Sequence, residues 1–224
     1  MIRNTKVNIL KIDPIHPELK KISKAAEIIL NGGVIGYPTE TVYGLGANAF
    51  NSEAVARIYS LKKRETSQAI LLIAGNLAHV AQIAADIPDN ALKLAEQFWP
   101  GPLTLVFQAG PSVNPRLMGA SGTIGVRIPG NKICLDMLNA VGVPITSTSA
   151  NISGQQNPVS AQEVLKYFGK KLDLIIDGGE TPSRIPSTVL SVVKNQAVLI
   201  REGSIIKSEI EKTIGKNVYE IKNG

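Results

Sequence analysis

Short apolar runs alternate with amphipathic stretches along nearly the whole chain, and this alternation restricts the available folds more than any other feature. Segments 34–37, 70–73, 103–108, 123–128, 144–148 and 174–177 have the length and apolarity of strands, whereas 18–30, 52–62, 77–85, 88–98, 132–140 and 160–168 carry helical spacing. Strands separated by helices predict an α/β fold, a single-domain twisted mixed sheet flanked by helices. Boundary signals agree. Leu19, Ile22, Ala26 and Ile29 recur on one helix face, Asn31-Gly32 ends that helix, and Pro88 opens another; Ser160 with Glu163 and Ser208 with Glu211 read as helix caps. A strand at 7–12 and a hairpin pairing 188–193 with 197–201 complete the expected sheet.

At 224 residues, 44% of them hydrophobic and 19% charged, the chain suffices for one substantial core and is short for two, so residues 1–224 are read as one domain. The single cysteine, Cys134, excludes an internal disulfide and fits a reducing compartment, which makes the cytoplasm the expected location. No apolar run approaches the roughly 20 residues that span a bilayer. A formal charge of +6 favours polyanionic partners, nucleotide phosphates or RNA, although it also serves solubility. With only 4% aromatics, a stacking platform for single-stranded nucleic acid is poorly supported. Only His16 and His79 are present, and with Cys134 they lack zinc spacing; His79 and Cys134 read as structural and His16 as exposed. Neither a phosphate-binding Gly-rich loop ending in Lys, nor a complete dinucleotide fingerprint, nor a nucleophile elbow occurs.

The unusual polar clusters all fall at expected strand exits, where open α/β sheets bind ligands. If 37–43 is extended, Tyr37, Thr39, Thr41 and Tyr43 share one face as a hydroxyl wall, with Glu40 on the other; the alternative is a glycine-capped loop. Lys62 and Arg64 would clamp a phosphate from an extended backbone, but at a helix end they would only complement the macrodipole. Ser147, Ser149 and Asn151 offer two hydroxyls and an amide along one edge, or else local turns. Arg127 interrupts an apolar strand and needs a partner if buried, either a substrate carboxylate or a surface acid. Ser187-Thr188 and Arg201-Glu202-Gly203 are weaker signals individually.

Taken in order, Pro38-Thr39-Glu40-Thr41-Val42-Tyr43-Gly44-Leu45-Gly46, Leu61-Lys62-Lys63-Arg64, Trp99-Pro100-Gly101-Pro102-Leu103-Thr104, Val126-Arg127-Ile128-Pro129, Ser147-Thr148-Ser149-Ala150-Asn151, Pro186-Ser187-Thr188 and Ile200-Arg201-Glu202-Gly203 resemble the YrdC-like family of threonylcarbamoyl-AMP synthases, in its short form. The resemblance spans about residues 18–206 and leaves a short C-terminal tail. It implies a nucleotidyltransferase that makes threonylcarbamoyl-AMP and pyrophosphate from L-threonine, bicarbonate and ATP, for threonylcarbamoyladenosine formation in tRNA. By the same resemblance, Lys62 and Arg64 are catalytic and bind nucleotide together with Thr123, Ser149, Asn151 and Arg201, while Thr39, Arg127, Ser147 and Ser187 surround threonine. Mg²⁺ is expected through the ATP phosphates, with no metal site on the protein. Expected partners are tRNA or double-stranded RNA and the proteins that receive the adenylate, with no membrane. Two departures stand out: Glu65-Thr66-Ser67-Gln68-Ala69 follows Lys62-Lys63-Arg64 where family members often carry a proline, and the chain stops before the C-terminal domain of longer members. The alternatives are a double-stranded RNA- or tRNA-binding module and a carbamoyl-adenylate-forming module.

Overall fold

The computed structural model describes residues 8–119, 121–182 and 185–220. The chain runs β1 (Ile9–Lys11), α1 (Leu19–Leu30), β2 (Ile35–Tyr37), β3 (Gly44–Gly46), α2 (Ser52–Lys62), β4 (Leu71–Ile73), α3 (Leu77–Ala81) and α4 (Asp89–Phe98). It continues through β5 (Leu103–Gln108), β6 (Thr123–Arg127), α5 (Lys132–Val141), β7 (Ile145–Ser149), α6 (Ala161–Phe168) and β8 (Leu174–Asp177), and then β9 (Thr188–Ser191), β10 (Val198–Arg201), α7 (Lys207–Ile214) and β11 (Tyr219–Glu220). Among the described residues these strands make one mixed sheet in the order β1-β8-β2-β3-β7-β4-β6-β5-β9-β10-β11, with helices on both faces. The α/β expectation holds.

Two apolar clusters occupy the two faces, and strand alternation decides which residue joins which. On β5, Leu103, Leu105 and Phe107 enter the larger cluster, and on β6 Ile124 and Val126 do the same, packing with α2, α4, α6 and α7. Residues that alternate with them, Thr104 and Arg127 among these, therefore point to the second face. That face is covered by α1 and α5 over β2, β7, β4 and β8, through Ile22, Ile29, Met137, Leu138 and Ile145, but none of β6, β5, β9 or β10 contributes to this cluster. The part of that face made by β6, β5, β9 and β10 thus lies outside the cluster that α1 and α5 cover.

Most expected boundaries are met within a residue or two, and the exceptions have local causes. β3 falls inside the glycine-rich stretch, where sequence suggested only a turn. Gly44 and Gly46 are needed because the Tyr37 ring lies across them: a Cβ at Gly44 would stand 2.8 Å from Tyr37 Cζ, and one at Gly46 2.7 Å from its Cε1. Leu19 is exposed despite its helical spacing. α3 ends at Ala81 rather than at 85. Ser160 Oγ accepts from Glu163 N as expected, but the Glu163 carboxylate reaches back to Val159 N instead of Ser160. Ser208 is no cap: Ile206 occupies that position without a side-chain bond, and the Glu211 carboxylate accepts from Val218 N. Val7, at the start of the expected first strand, lies outside the described residues.

Candidate active site

Beyond the edge of the second-face cluster, a cleft of about 250 Å³ opens over β4, β6, β5 and the exit of β7. Arg64, Arg127 and Arg201 line it, and among the described residues no Asp or Glu does. Hydroxyls supply most of the remaining polarity. A cationic cleft poor in carboxylates suits anionic ligands.

The first wall is segment 38–43, which is a turn and not a strand. Thr39 organises it: Thr39 Oγ1 accepts from Thr41 N (3.1 Å) and Val42 N (3.2 Å), contacts Thr41 Oγ1 (3.0 Å), and donates to Val42 O (2.7 Å). Such local hydroxyl bonds compete with strand pairing and curl the chain. The hydroxyl wall expected from an extended segment is therefore overturned. Tyr37 belongs to the second-face cluster and Tyr43 to the first, where the Tyr43 hydroxyl donates to Gly179 O at 2.6 Å. Burial raises both phenols above their ordinary pKa. Thr39 and Thr41 still reach the cleft.

The turn also brings Glu40 to Arg127, whose Nη1 donates to Glu40 Oε1 at 3.0 Å. Arg127 is 7% exposed, so this pairing meets the need that a buried guanidinium creates. Glu40 Oε2 is buried without a hydrogen-bond partner. The nearby Cys134 thiol is pushed up, by burial first and by the Glu40 charge second.

At the exit of β7, Ser147 and Ser149 line the cleft, and the Tyr37 hydroxyl braces Ser147 Oγ from 3.2 Å. Asn151 turns inward instead: it is 4% exposed, and its Nδ2 donates to Gln155 O at 2.5 Å. Behind this turn sits Lys62. Its Nζ donates to Ser149 O (2.5 Å), Asn151 O (2.8 Å) and Asn151 Oδ1 (3.3 Å), and Ser149 Oγ donates to the same Oδ1 at 2.6 Å. Burial, aided by the charge of Arg64, lowers Lys62 to about 8. Lys62 and Arg64 do not share an extended backbone: Lys62 ends α2, and Lys63 reverses the chain with a left-handed φ of 52°. Arg64 then lies against the atypical loop, with Nη2 donating to Ala69 O (2.8 Å) and Nε to Gln68 O (3.2 Å).

The far wall joins two motifs that were weak when read separately. Gly203 fits against 186–188 so closely that a Cβ there would stand 2.3 Å from Pro186 O. Thr188 Oγ1 fastens the contact, accepting from Gly203 N (2.9 Å) and Ile205 N (3.0 Å) and donating to Ile205 O (2.6 Å). Arg201 Nη2 consequently donates to Ser187 O at 2.8 Å and lies 3.4 Å from Ser187 Oγ, which in turn meets Thr104 Oγ1 at 2.9 Å. Desolvation and, second, the charge of Arg127 hold Arg201 below the ordinary arginine value.

Of the expected site residues, the structure gathers Thr39, Arg64, Arg127, Ser147, Ser149, Ser187 and Arg201 on the cleft. Lys62 and Asn151 lie behind it. Thr123 shares the face of Arg127, but sits about 13 Å away along β6, its Oγ1 bonded to Ser121 Oγ at 3.1 Å. Sequence reasoning missed Thr104 and left Glu40 unassigned. Thr104 carried the same signal as Arg127, a polar residue inside an apolar strand; Glu40 carried none, because its face depended on a turn.

An open α/β sheet carries an arginine-lined, hydroxyl-rich cleft at its strand exits, a lining that suits small anions. The family model described as "Telomere recombination", Sua5/YciO/YrdC, matches residues 27–203, and the chain belongs to that family. The threonylcarbamoyl-AMP synthase of Pyrococcus abyssi is 41% identical over 196 residues, which are 88% of this chain and 58% of that protein. That of Bacillus subtilis is 36% identical over 87% of this chain and 57% of its own length. The crystal structure of P. abyssi Sua5 complexed with L-threonine superimposes with a TM-score of 0.88 at 39% identity, covering 94% of this chain and 62% of that one. The chain thus spans less than two thirds of these relatives.

Proposed function

We propose that the chain is an L-threonylcarbamoyladenylate synthase, forming threonylcarbamoyl-AMP and pyrophosphate from L-threonine, bicarbonate and ATP. The observation that carries this reading is the cleft itself, lined by Arg64, Arg127 and Arg201 and, among the described residues, by no carboxylate, in a member of a family whose relatives bear that name. The reaction joins an amine nitrogen to a carbonate carbon and a carbamate oxygen to an α-phosphorus, and needs positioning and charge neutralisation more than a protein nucleophile.

In this reading the Arg127 guanidinium pairs with the threonine carboxylate. Its Nη1 stays on Glu40, which fixes the plane of the group and so the direction of approach. Thr39, Ser147 and Ser187 surround the amino acid with hydroxyls. Arg64, Arg201 and Ser149 take phosphate oxygens, offsetting charge as a carbamate oxygen attacks the α-phosphorus and pyrophosphate leaves. Lys62 and Asn151 act on the nucleotide through the Ser149 turn that they hold from behind, and Thr123 meets the end of a nucleotide laid along β6. Gly125 keeps that lane free of a side chain, since a Cβ there would stand 2.4 Å from Leu71 Cδ2.

Mg²⁺ would arrive on the ATP phosphates and neutralise part of their charge. Among the described residues no group of three or more His, Cys, Asp or Glu side chains could hold a metal ion, and in this reading the phosphate oxygens are its ligands. The adenylate would pass to proteins that modify tRNA, in the cytoplasm; among the described residues no helix is long and apolar enough to cross a membrane. Both core clusters draw on one continuous sheet, which supports reading the chain as a single working domain.

Pyrophosphate release from ATP tests the proposal. Release is expected only with threonine and bicarbonate together. Equal release without threonine would overturn it in favour of a carbamoyl-adenylate module.

A further inference from the structure

Tyr59 lies outside the cleft and lines none of it, yet its hydroxyl stands behind one wall. The ring belongs to the larger apolar cluster, and the residue is 4% exposed. A phenol buried so deeply needs a partner for its hydroxyl, and this one has two: Gln68 O at 3.0 Å and Arg116 O at 2.5 Å. The two carbonyls come from different loops. Gln68 belongs to the exposed stretch 65–68, whereas Arg116 sits in a single 3₁₀ turn, Pro115–Leu117, held down by Val113 and Leu117 in the same cluster as the ring. Tyr59 thus ties a surface loop to one anchored in the core.

Gln68 O also accepts from Arg64 Nε, next to the bond from Arg64 Nη2 to Ala69 O, so two successive carbonyls grip one edge of the guanidinium and leave its Nη1 donors for a ligand. The backbone of Arg64 is held by the same tyrosine, since Arg64 N donates to Tyr59 O at 3.1 Å. Burial raises the Tyr59 phenol, and the charges of Arg64 and then Arg116 oppose the rise, which places both cations near its oxygen. No proline ring fixes the dihedrals of Glu65-Thr66-Ser67-Gln68-Ala69. Within the loop, Gln68 N donates to Glu65 O at 3.1 Å, a bond that shapes the turn without fixing where the turn lies on the protein. We propose that Tyr59 is a positioning residue for the nucleotide, fixing through Gln68 O the plane in which the Arg64 guanidinium meets phosphate, a role that rests on the reading of Arg64 as a phosphate ligand. Without the hydroxyl, Arg64 must give up side-chain and loop freedom when ATP arrives, and that ordering is subtracted from the binding energy.

Calorimetry with Mg·ATP tests this without turnover. Tyr59→Phe keeps the ring in the core and should raise the Kd about fivefold, the equivalent of ordering one long side chain and its loop. Arg64→Ala should raise it further, and Tyr59→Phe combined with Arg64→Ala should bind no more weakly than Arg64→Ala alone, because the tyrosine acts through the arginine. A merely structural tyrosine would instead make the two losses multiply. Gln68→Gly, at an exposed position that leaves the core untouched, loosens the shared carbonyl and carries the same test should Tyr59→Phe fail to fold. In turnover the ATP KM should rise while kcat and the threonine KM stay within about twofold. An unchanged ATP Kd in folded Tyr59→Phe and Gln68→Gly, or losses that multiply, would overturn the role of Tyr59 and leave the synthase reading in place. Wild-type affinity in Arg64→Ala would take the arginine off the nucleotide and the tyrosine's role with it. Losses that fail to multiply, in a protein that releases no pyrophosphate with threonine and bicarbonate, would keep Tyr59 as a positioning residue and discard the synthase reading.

Discussion

Two buried cations stand on either side of the β7 exit, and their surroundings differ. Lys62, 2% exposed, spends its ammonium on three oxygens of the turn at Ser149 and Asn151. Arg127, 7% exposed, has one carboxylate oxygen on one nitrogen and faces a cleft. Both come from motifs that would be read alike as anion-binding. What separates them is hydrogen-bond satisfaction: a group already closed by protein oxygens stabilises structure, while a guanidinium with donors to spare is poised for a ligand.

The largest expected effect comes from removing Arg127. Arg127→Ala leaves Glu40 beside the cleft without its counter-charge and should cost about 3–5 kcal/mol in urea unfolding, besides abolishing threonine-dependent turnover. The milder Arg127→Lys should raise the threonine requirement far more than the ATP requirement. If Arg127→Ala is as stable as wild type, the contrast fails at its stronger end.

Lys62 tests the other side through pH. Burial lowers it from its ordinary 10.5 to about 8, so between these values the unfolded chain holds a proton that the folded chain has released. Raising pH through that window therefore favours the fold, by up to about 3 kcal/mol, and the gain is lost as pH falls through about 8. Urea midpoints should rise from pH 8 to 10.5 in wild type more than in Lys62→Met. Equal slopes would mean that the ammonium is not buried as described, and Lys62 would then join Arg127 as a cation open to ligands.

The smallest effect sharpens the comparison. Glu40→Gln retains an oxygen for Arg127 but loses the charge, and should weaken threonine binding by about 1–2 kcal/mol, read as a rise in threonine KM with ATP KM nearly constant. A matching rise in both would give Glu40 a general structural role.

The alternation of strands and helices was legible because core strands commit alternate residues to one cluster, as Leu103, Leu105 and Phe107 do to the larger and Ile35 and Tyr37 to the second. Much of the cleft was legible too, since Arg127, Ser147 and Ser149 are polar residues at strand ends. The turn at 38–43 was not. A period-two reading assumed backbone pairing, and Thr39 removes it by bonding its own neighbours. Gly44 and Gly46 suggested a turn, yet they serve a ring seven residues upstream of Gly44. The inward turn of Lys62 rests on a left-handed Lys63, a conformation that lysine composition does not announce. The Arg201 and Ser187 contact required two segments to meet, which spacing alone cannot reveal.

The contacts that close the cleft have a kinetic meaning. Arg127 meets Glu40 across 87 positions, Ser187 meets Thr104 across 83, and Lys62 meets Asn151 across 89. Contacts so distant in sequence slow folding, because loop closure precedes any reward. No local stretch of chain can assemble the cleft ahead of the rest. Ligand affinity would then report the integrity of the entire fold, and a nucleotide held there would raise the unfolding temperature of strands it never touches.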